Sequence, residues 1–335
     1  MGVSFSGDRL SELSRKIPSL CAAFGYASGD EFVHWLIKNE PSTRDLGILA
    51  EHLTIGETYF FRDPELFDHL RKELLPELLR ERTESRSLKI WSAGCCSGEE
   101  LYSIAMLLHE LLPGRSRWQI HLTGTDINPA FLEKARSGVY RDFSLRATPD
   151  QWRERYFEPL DNGGWQLCSE IKEMVSFQWL NLVAAESKRL APLEQDIILC
   201  RNVLMYFNVP AALQAMELLE SRLSECGFLF VSPFDISLAA HDKVVLVTRP
   251  GLVYLQRRKP EPVTASQCEL PVITAVPASA PGMTPFTRAM YLYTHARYEE
   301  AVALLSRVSQ PDGDTLLLLC RCLANHGELE HAMTT

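Results

Sequence analysis

The sequence predicts an α/β fold: a mostly parallel, doubly wound sheet, with an all-helical domain before it and a helical hairpin after it. Three observations carry this. From residue 88 onward, short apolar runs alternate with segments of helical period. A small-residue patch, GCCSG (94–98), stands between the first strand pattern and its helix, the place where open α/β sheets hold ligands. A Pro-Gly turn (250–251) joins two final apolar segments, which predicts a closing antiparallel pair.

The elements follow in order. Residues 8–50 read as helical: DRLSELSRKI and DEFVHWLIKN carry apolar residues three and four apart, and Asp30 is placed to cap the second. LTIGETYFFRDP (53–64) is a loop with an acid and several aromatics. Pro64 opens the next helix, PELFDHLRKELLPELLRER, where its missing donor does little harm. Then come strand 88–93, helix 98–112, strand 118–126 and helix 128–138, the last with Asn128 as cap and Pro129 in its first turn. Strand 196–200, helix 210–223 and strand 226–232 continue the alternation, and 243–248 with 252–257 close it.

Two stretches break the pattern. Residues 139–179 carry a DNGG turn signal between apolar segments and read as a small inserted β-subdomain, an irregular crossover being the alternative. Residues 259–285 hold six prolines and no periodicity, the mark of a linker. Beyond it, 286–335 carries helical patterns. RYEEAVALL and ELEHAM recur at a spacing close to the tetratricopeptide period, so a tetratricopeptide-like segment is expected. The resulting division is 1–80 helical, 81–258 sheet domain with the 139–179 insertion, 259–285 linker and 286–335 tail. The tail is expected to stand away from the sheet domain and to dock a signalling partner.

Composition narrows the function. The 335 residues are 46% hydrophobic and 23% charged, with 43 acids against 34 Lys and Arg, a net charge of -9. An acidic chain lacks the basic surface that general nucleic-acid binding needs. Nine cysteines show neither a CxxC pair nor zinc spacing, so reduced thiols and no metal are expected. No signal peptide and no run of 18 apolar residues is visible, which fits a cytoplasmic protein.

The patch SAGCCSGEE limits its ligand. Gly94 and Gly98 lack the middle glycine of a dinucleotide fingerprint, which argues against a nicotinamide or nucleotide-sugar enzyme. Glu99 and Glu100 stand where a phosphate-binding loop would carry Lys and Ser or Thr. Two carboxylates at a helix start oppose phosphate and suit an ammonium, a sulfonium or hydroxyls. Asp126 ends the next strand, a usual position for an acid that binds ribose hydroxyls. A cationic nucleoside without phosphates is S-adenosylmethionine. Plainer readings exist for both acids: a solvated helix start for Glu99, and a cap in TDINP for Asp126.

LTIGETYFFRD, IWSAGCCSGEELYSIAMLL, LTGTDINPAFLEKARSGVY and IILCRNVLMYF, in this order, resemble the CheR-type chemotaxis-receptor glutamate O-methyltransferases, over roughly 8–257. The linker and tail are similar to WspC-like or FrzF-like variants. The resemblance implies a Rossmann-like methyltransferase sheet, S-adenosylmethionine as cofactor with S-adenosylhomocysteine as product, and the cytoplasmic helices of a membrane chemoreceptor as partner. A monomer recruited to receptor arrays is implied too.

By motif, the resemblance places Ala93, Gly94 and Glu99 at the cofactor, with Glu99 on its methionine end. Asp126 would bind the ribose, Asn181 and Leu182 would lie beside the adenine, and Arg201 and Asn202 would close the pocket. Gly56 and Thr58 belong to the covering loop. Arg62 and Tyr206 would flank the point of methyl transfer, with Phe60 and Phe61 as a dry lid. Arg62 also reads as a surface pair with Asp63 or Glu65, and Tyr206 as a core aromatic. Two departures stand out: TIGET where TxNET is commoner, and SPFDIS (232–237) where a GHSE-like stretch is. They support the alternative of a non-catalytic adaptor. A small-molecule methyltransferase is the other alternative. Methyl transfer to an ionised carboxylate needs no general base, consistent with scattered histidines and with Cys95 and Cys96 as packing residues.

Overall fold

A computed structural model describes residues 1–5, 9–112, 117–239, 243–258, 285, 288–289, 292, 298–308 and 319. The expected linker and most of the tail lie outside these residues.

Three helices, α1 (Arg9–Phe24), α2 (Gly29–Lys38) and α3 (Thr43–Leu53), pack around Leu20, Phe32 and Leu49. The cap of α2 is Ser28, whose hydroxyl accepts from Glu31 N at 3.2 Å, and Asp30 lies within the first turn instead. The long helix expected after Pro64 is interrupted. It runs as α4 (Pro64–His69), a π-helical turn (Leu70–Leu74) and α5 (Leu75–Glu81). Pro76 has no N–H to give and its ring crowds the preceding turn, so a widened turn before it relieves the clash.

The sheet domain alternates as the sequence predicts: β1 (Ser87–Ala93), α6 (Glu99–Leu111), β2 (Gln119–Asp126) and α7 (Pro129–Ser137). The insertion holds β3 (Val139–Tyr140), α8 (Asp142–Leu145), α9 (Asp150–Tyr156), β4 (Phe157–Pro159) and β5 (Trp165–Leu167), and α10 (Ser169–Lys172) leads out of it. Then follow β6 (Val175–Trp179), α11 (Ser187–Leu190), β7 (Gln195–Cys200), α12 (Val209–Arg222), β8 (Leu223–Val231), β9 (Val244–Arg249) and β10 (Leu252–Arg257).

The seven-stranded sheet has the order β6-β2-β1-β7-β8-β10-β9. The first five strands are parallel, and β10 pairs antiparallel with both β8 and β9. A separate three-stranded sheet, β3-β5-β4, forms the inserted subdomain. The insertion is shorter than 139–179, because Val175–Trp179 pairs with β2 as the edge of the main sheet.

Period-two alternation sends neighbouring residues to opposite faces. Ile90, Ile197 and Leu199 join α4, α5 and α6 in one core, and Trp91, Ile198 and Cys200 join α12 in the other. After β1 the chain winds outward through β2 to β6, then returns to place β7 on the other side of β1. The carboxyl ends of β1 and β7 therefore form a topological switch point, where an open α/β sheet leaves a crevice.

A helix, Tyr298–Leu305, belongs to the tail. Ala289, Leu292, Ala301 and Leu305 form a small cluster, and Phe234 of the sheet domain packs against it. The expected detachment of the tail is thus not what the described residues show. Phe234 lies in SPFDIS, so the departure in that stretch supplies the apolar contact.

Candidate cofactor and methyl-transfer site

A cleft, open at its mouth, lies at the switch point. Its walls come from the loop after α3 and from the ends of β1, β2, β6 and β7. Thr58, Arg62, Gly94, Asp126, Asn181, Leu182, Arg201, Asn202 and Tyr206 all line it. Gly56, Ala93 and Glu99, also expected there, are not among its lining residues.

Asp126 sits at the end of β2 and is 8% exposed. Its Oδ2 accepts from Cys96 N at 2.8 Å and its Oδ1 from Asn128 N at 2.9 Å. Burial raises its pKa above the ordinary carboxylate value, and these amides work against that rise. It does not cap α7. Asn128 does, its side-chain oxygen accepting from Ala130 N and Phe131 N. A carboxylate has about four acceptor positions, so Asp126 keeps capacity for a hydroxyl inside the cleft.

The two glutamates after Gly98 divide their labour differently from the expectation. Glu99 is 0% exposed and turns inward. Ser97 Oγ donates to its Oε2 at 2.8 Å and Ser144 Oγ to its Oε1 at 3.1 Å, with Lys134 Nζ 4.0 Å away. It therefore ties the start of α6 to the inserted subdomain, and it is neither a solvated helix start nor a ligand contact. Glu100 lines the cleft, its Oε1 accepting from Ser92 Oγ at 2.7 Å. Successive residues on a helix point about 100° apart, so one position decides which acid meets the ligand. Desolvation raises the Glu100 pKa, with Arg201 and Arg62 opposing.

Arg201 holds Asp63 at 3.0 Å through Nη1, while its buried Nε has no partner. A guanidinium donor without a partner among the described residues and a carboxylate in the same cleft are chemically suited to a zwitterion, whose carboxylate would meet Arg201 and whose ammonium would meet Glu100. With Asp126 for ribose hydroxyls, these groups fit S-adenosylmethionine along its length. Asn202 adopts φ 57 and gives its N–H to Ser232 Oγ at 2.9 Å, which fixes the turn after β7. Gly94, at φ 79, is needed for packing: a Cβ there would stand 2.4 Å from Val203 Cγ2.

The covering loop is fastened by its aromatics. Phe60 is 0% exposed, makes edge contacts with Tyr140 and Phe157, and donates its N–H to Ser144 O at 2.9 Å. Phe61, at φ 56, packs on Phe67 and Trp152 and gives its N–H to Ser103 Oγ at 3.1 Å. Both rings anchor the loop in the core and do not form the lid expected of them. The anchoring leaves Tyr59 and Arg62 directed to the cleft. Arg62 Nη1 donates to Glu57 O at 2.6 Å, and the described residues give it no ion pair with Asp63 or Glu65.

Gly56 lies beneath Phe131. A Cβ at 56 would approach Phe131 Cζ to 2.5 Å, so the ring occupies the space an amide side chain would need. Phe131 itself lines the cleft, as do Met1 and Val3. Val3 bridges to Phe207, and Ser4 N donates to Tyr206 O at 2.8 Å. Sequence reasoning missed Glu100, Phe131 and this N-terminal strap. Only Glu100, adjacent to the expected acid, carried a signal.

A doubly wound sheet with an acid in the first turn of α6, another at the end of β2 and a glycine patch unlike a phosphate-binding loop suits a nucleoside-dependent transferase of the S-adenosylmethionine class. The CheR methyltransferase SAM-binding domain matches residues 56–235, and the chain belongs to this family. A chemotaxis protein methyltransferase of Vibrio parahaemolyticus is 33% identical over 259 residues, spanning 74% of this chain and 90% of that protein. One of Borreliella burgdorferi is 30% identical over 235 residues, spanning 69% and 81%. The probable biofilm formation methyltransferase WspC of Pseudomonas putida is 33% identical over 228 residues, covering 68% of this chain and 52% of that protein. Like the cleft itself, membership makes the chain an S-adenosylmethionine-dependent methyltransferase.

Proposed function

We propose that the protein transfers a methyl group from S-adenosylmethionine to glutamate side chains of a membrane chemoreceptor in a chemosensory pathway. The arrangement of Arg201, Glu100 and Asp126 carries the reading, because it suits a methionine nucleoside in the cleft that Arg62 and Tyr206 also line. The relatives named for chemotaxis supply the pathway. Among the described residues, no helix is long and apolar enough to cross a membrane, so the receptor would bring the membrane association.

When bound, the cofactor supplies an electrophilic methyl on sulfur. The acceptor needs no base, since a glutamate with pKa about 4.3 is ionised at neutral pH. Arg62 orients that carboxylate with its planar donor fork, and its bond to Glu57 O leaves other N–H groups for the task. Tyr206 lines the same cleft. The anchored loop keeps Arg62 in place, and alignment of nucleophile with leaving group is the main source of acceleration. Neither cysteine competes as nucleophile. Burial raises Cys95 far above the ordinary thiol range, and Cys96 is pushed up to about 12.

The test is a radiolabelled methyl-transfer assay with cognate receptor membranes. Label in the receptor, released as methanol by mild base, supports glutamate esterification. Binding of cofactor without transfer to any receptor overturns it in favour of the adaptor reading.

A further inference from the structure

One side chain stacked on a residue of the cleft wall, Tyr59, offers donors that the methyl-transfer reading leaves unassigned. Arg146 follows α8 and is exposed. Its guanidinium lies 3.5 Å from the ring centroid of Tyr59 and 3.7 Å from that of Phe143. Two aromatic faces thus hold one guanidinium. Phe143 is 65% exposed. Arg146 Nη1 donates to Phe143 O at 2.5 Å, which fixes the plane of the group. A guanidinium has five N–H donors, so four remain for other partners.

No carboxylate among the described residues uses them. Among the described residues Arg146 makes no ion pair. Of the two acids four residues away, Asp142 is occupied by Arg153 and by Trp165 Nε1, and Asp150 makes no ion pair with Arg146 among the described residues. Stacking removes rotamer freedom before any partner arrives, so less is lost when a planar anion docks.

Position decides what that anion is. Tyr59 lines the cleft, and its ring also faces the Arg62 guanidinium at 5.8 Å. One tyrosine ring therefore contacts two guanidiniums, that of Arg62 in the lining of the cleft and that of Arg146 outside it. Their separation is no more than about two helical turns of roughly 5.4 Å each. A polypeptide that presents one carboxylate to Arg62 passes over Tyr59 with its neighbouring residues at Arg146.

We propose that Arg146, held between Tyr59 and Phe143, is a second carboxylate site. It binds an acidic side chain of the same polypeptide that offers the acceptor glutamate, about three to seven residues away if that segment is helical. The inference rests on the glutamate-methylation reading and adds a specificity element to it. Arg146 selects acceptors with an acidic neighbour and takes no part in the bond-making step.

The experiment compares wild type, Arg146→Ala and Arg146→Lys on a receptor cytoplasmic fragment, with cofactor Kd measured alongside. Arg146→Ala is expected to raise KM for the fragment about five- to tenfold at low salt, leave kcat within twofold and leave cofactor Kd unchanged. Its KM should also lose most of its salt dependence. Lysine should restore part of the effect, because the charge returns without the fork. Neutralising acids near the acceptor in the fragment, Glu→Gln one at a time, should raise KM for wild type at one position and have no effect on Arg146→Ala. An unchanged KM and salt slope in Arg146→Ala, while wild type methylates the fragment, overturns the site and leaves the function standing. A wild-type enzyme that binds cofactor yet methylates no receptor fragment overturns both. A shifted cofactor Kd in Arg146→Ala makes the residue a support of the Tyr59 loop and also overturns the proposal.

Discussion

Exchanging each of the two adjacent glutamates for glutamine separates ligand contact from architecture. Glu100 lines the cleft with Ser92 Oγ as its hydrogen-bond donor, and Glu99 is sealed among Ser97, Ser144 and Lys134. Glu100→Gln keeps the shape and removes the charge that meets an ammonium. A charged hydrogen bond contributes about 1.5–3 kcal/mol, so cofactor affinity should fall by roughly ten- to 150-fold. S-adenosylhomocysteine should weaken equally, since it carries the same ammonium. Glu99→Gln should leave Kd within twofold and destabilise the fold by about 1–3 kcal/mol, because a buried, doubly hydrogen-bonded carboxylate is lost. Calorimetric titration gives the affinities and thermal unfolding the stability. The reverse pattern, weakened binding in Glu99→Gln and normal binding in Glu100→Gln, would refute the assignment of the two side chains.

Other outcomes follow from the same geometry. Asp126→Ala should weaken the cofactor by about tenfold or more through loss of the ribose acceptor. An unchanged Kd in the folded variant would remove Asp126 from the site. Burial raises the pKa of both Asp126 and Glu100 above their ordinary 3.8 and 4.5. The folded protein therefore takes up these protons before the unfolded chain does. Cofactor affinity should decline as pH falls through the raised values, while these two groups make the ligand-free fold more stable over the same interval. A flat affinity from pH 7 to about 4.5 would contradict this. Arg62→Ala should lose most methyl transfer with the fold intact, and lysine should not restore it fully; near-normal turnover would return Arg62 to the protein surface. Truncation after Arg258 uncovers Phe234, which packs on the tail cluster. It should lower Tm by a few degrees and leave cofactor Kd unchanged, and equal melting temperatures would show that the contact contributes nothing.

Much of the sheet was legible because each strand and helix carries its own period. Glycines and acids at strand ends then located the crevice. That Asp126 is not the cap of α7 was readable because Asn128 already supplied one two residues on. The choice between Glu99 and Glu100 was not, since the rotation of a helix about its axis is set by packing against Ser144, far away in sequence. Contacts between distant segments were equally hidden: Phe131 over Gly56, and the strap Met1–Val3 beside Tyr206. VSFQW alternates like any half-buried strand, and only pairing with β2 assigns it to the main sheet. Phe60 and Phe61 beside Arg62 read as a lid because sequence gives proximity to a catalytic group without direction. Their rings turn into the core.

The most direct test of the central claim is the chemical identity of the methylated atom. A receptor cytoplasmic fragment incubated with the enzyme and S-adenosylmethionine, then digested and mapped by mass spectrometry, should carry methyl groups on glutamate side-chain oxygens, lost on mild base treatment and absent with Arg62→Ala. Methyl groups stable to base on lysine or another nitrogen, or an unmodified receptor beside enzyme saturated with cofactor, would contradict the account.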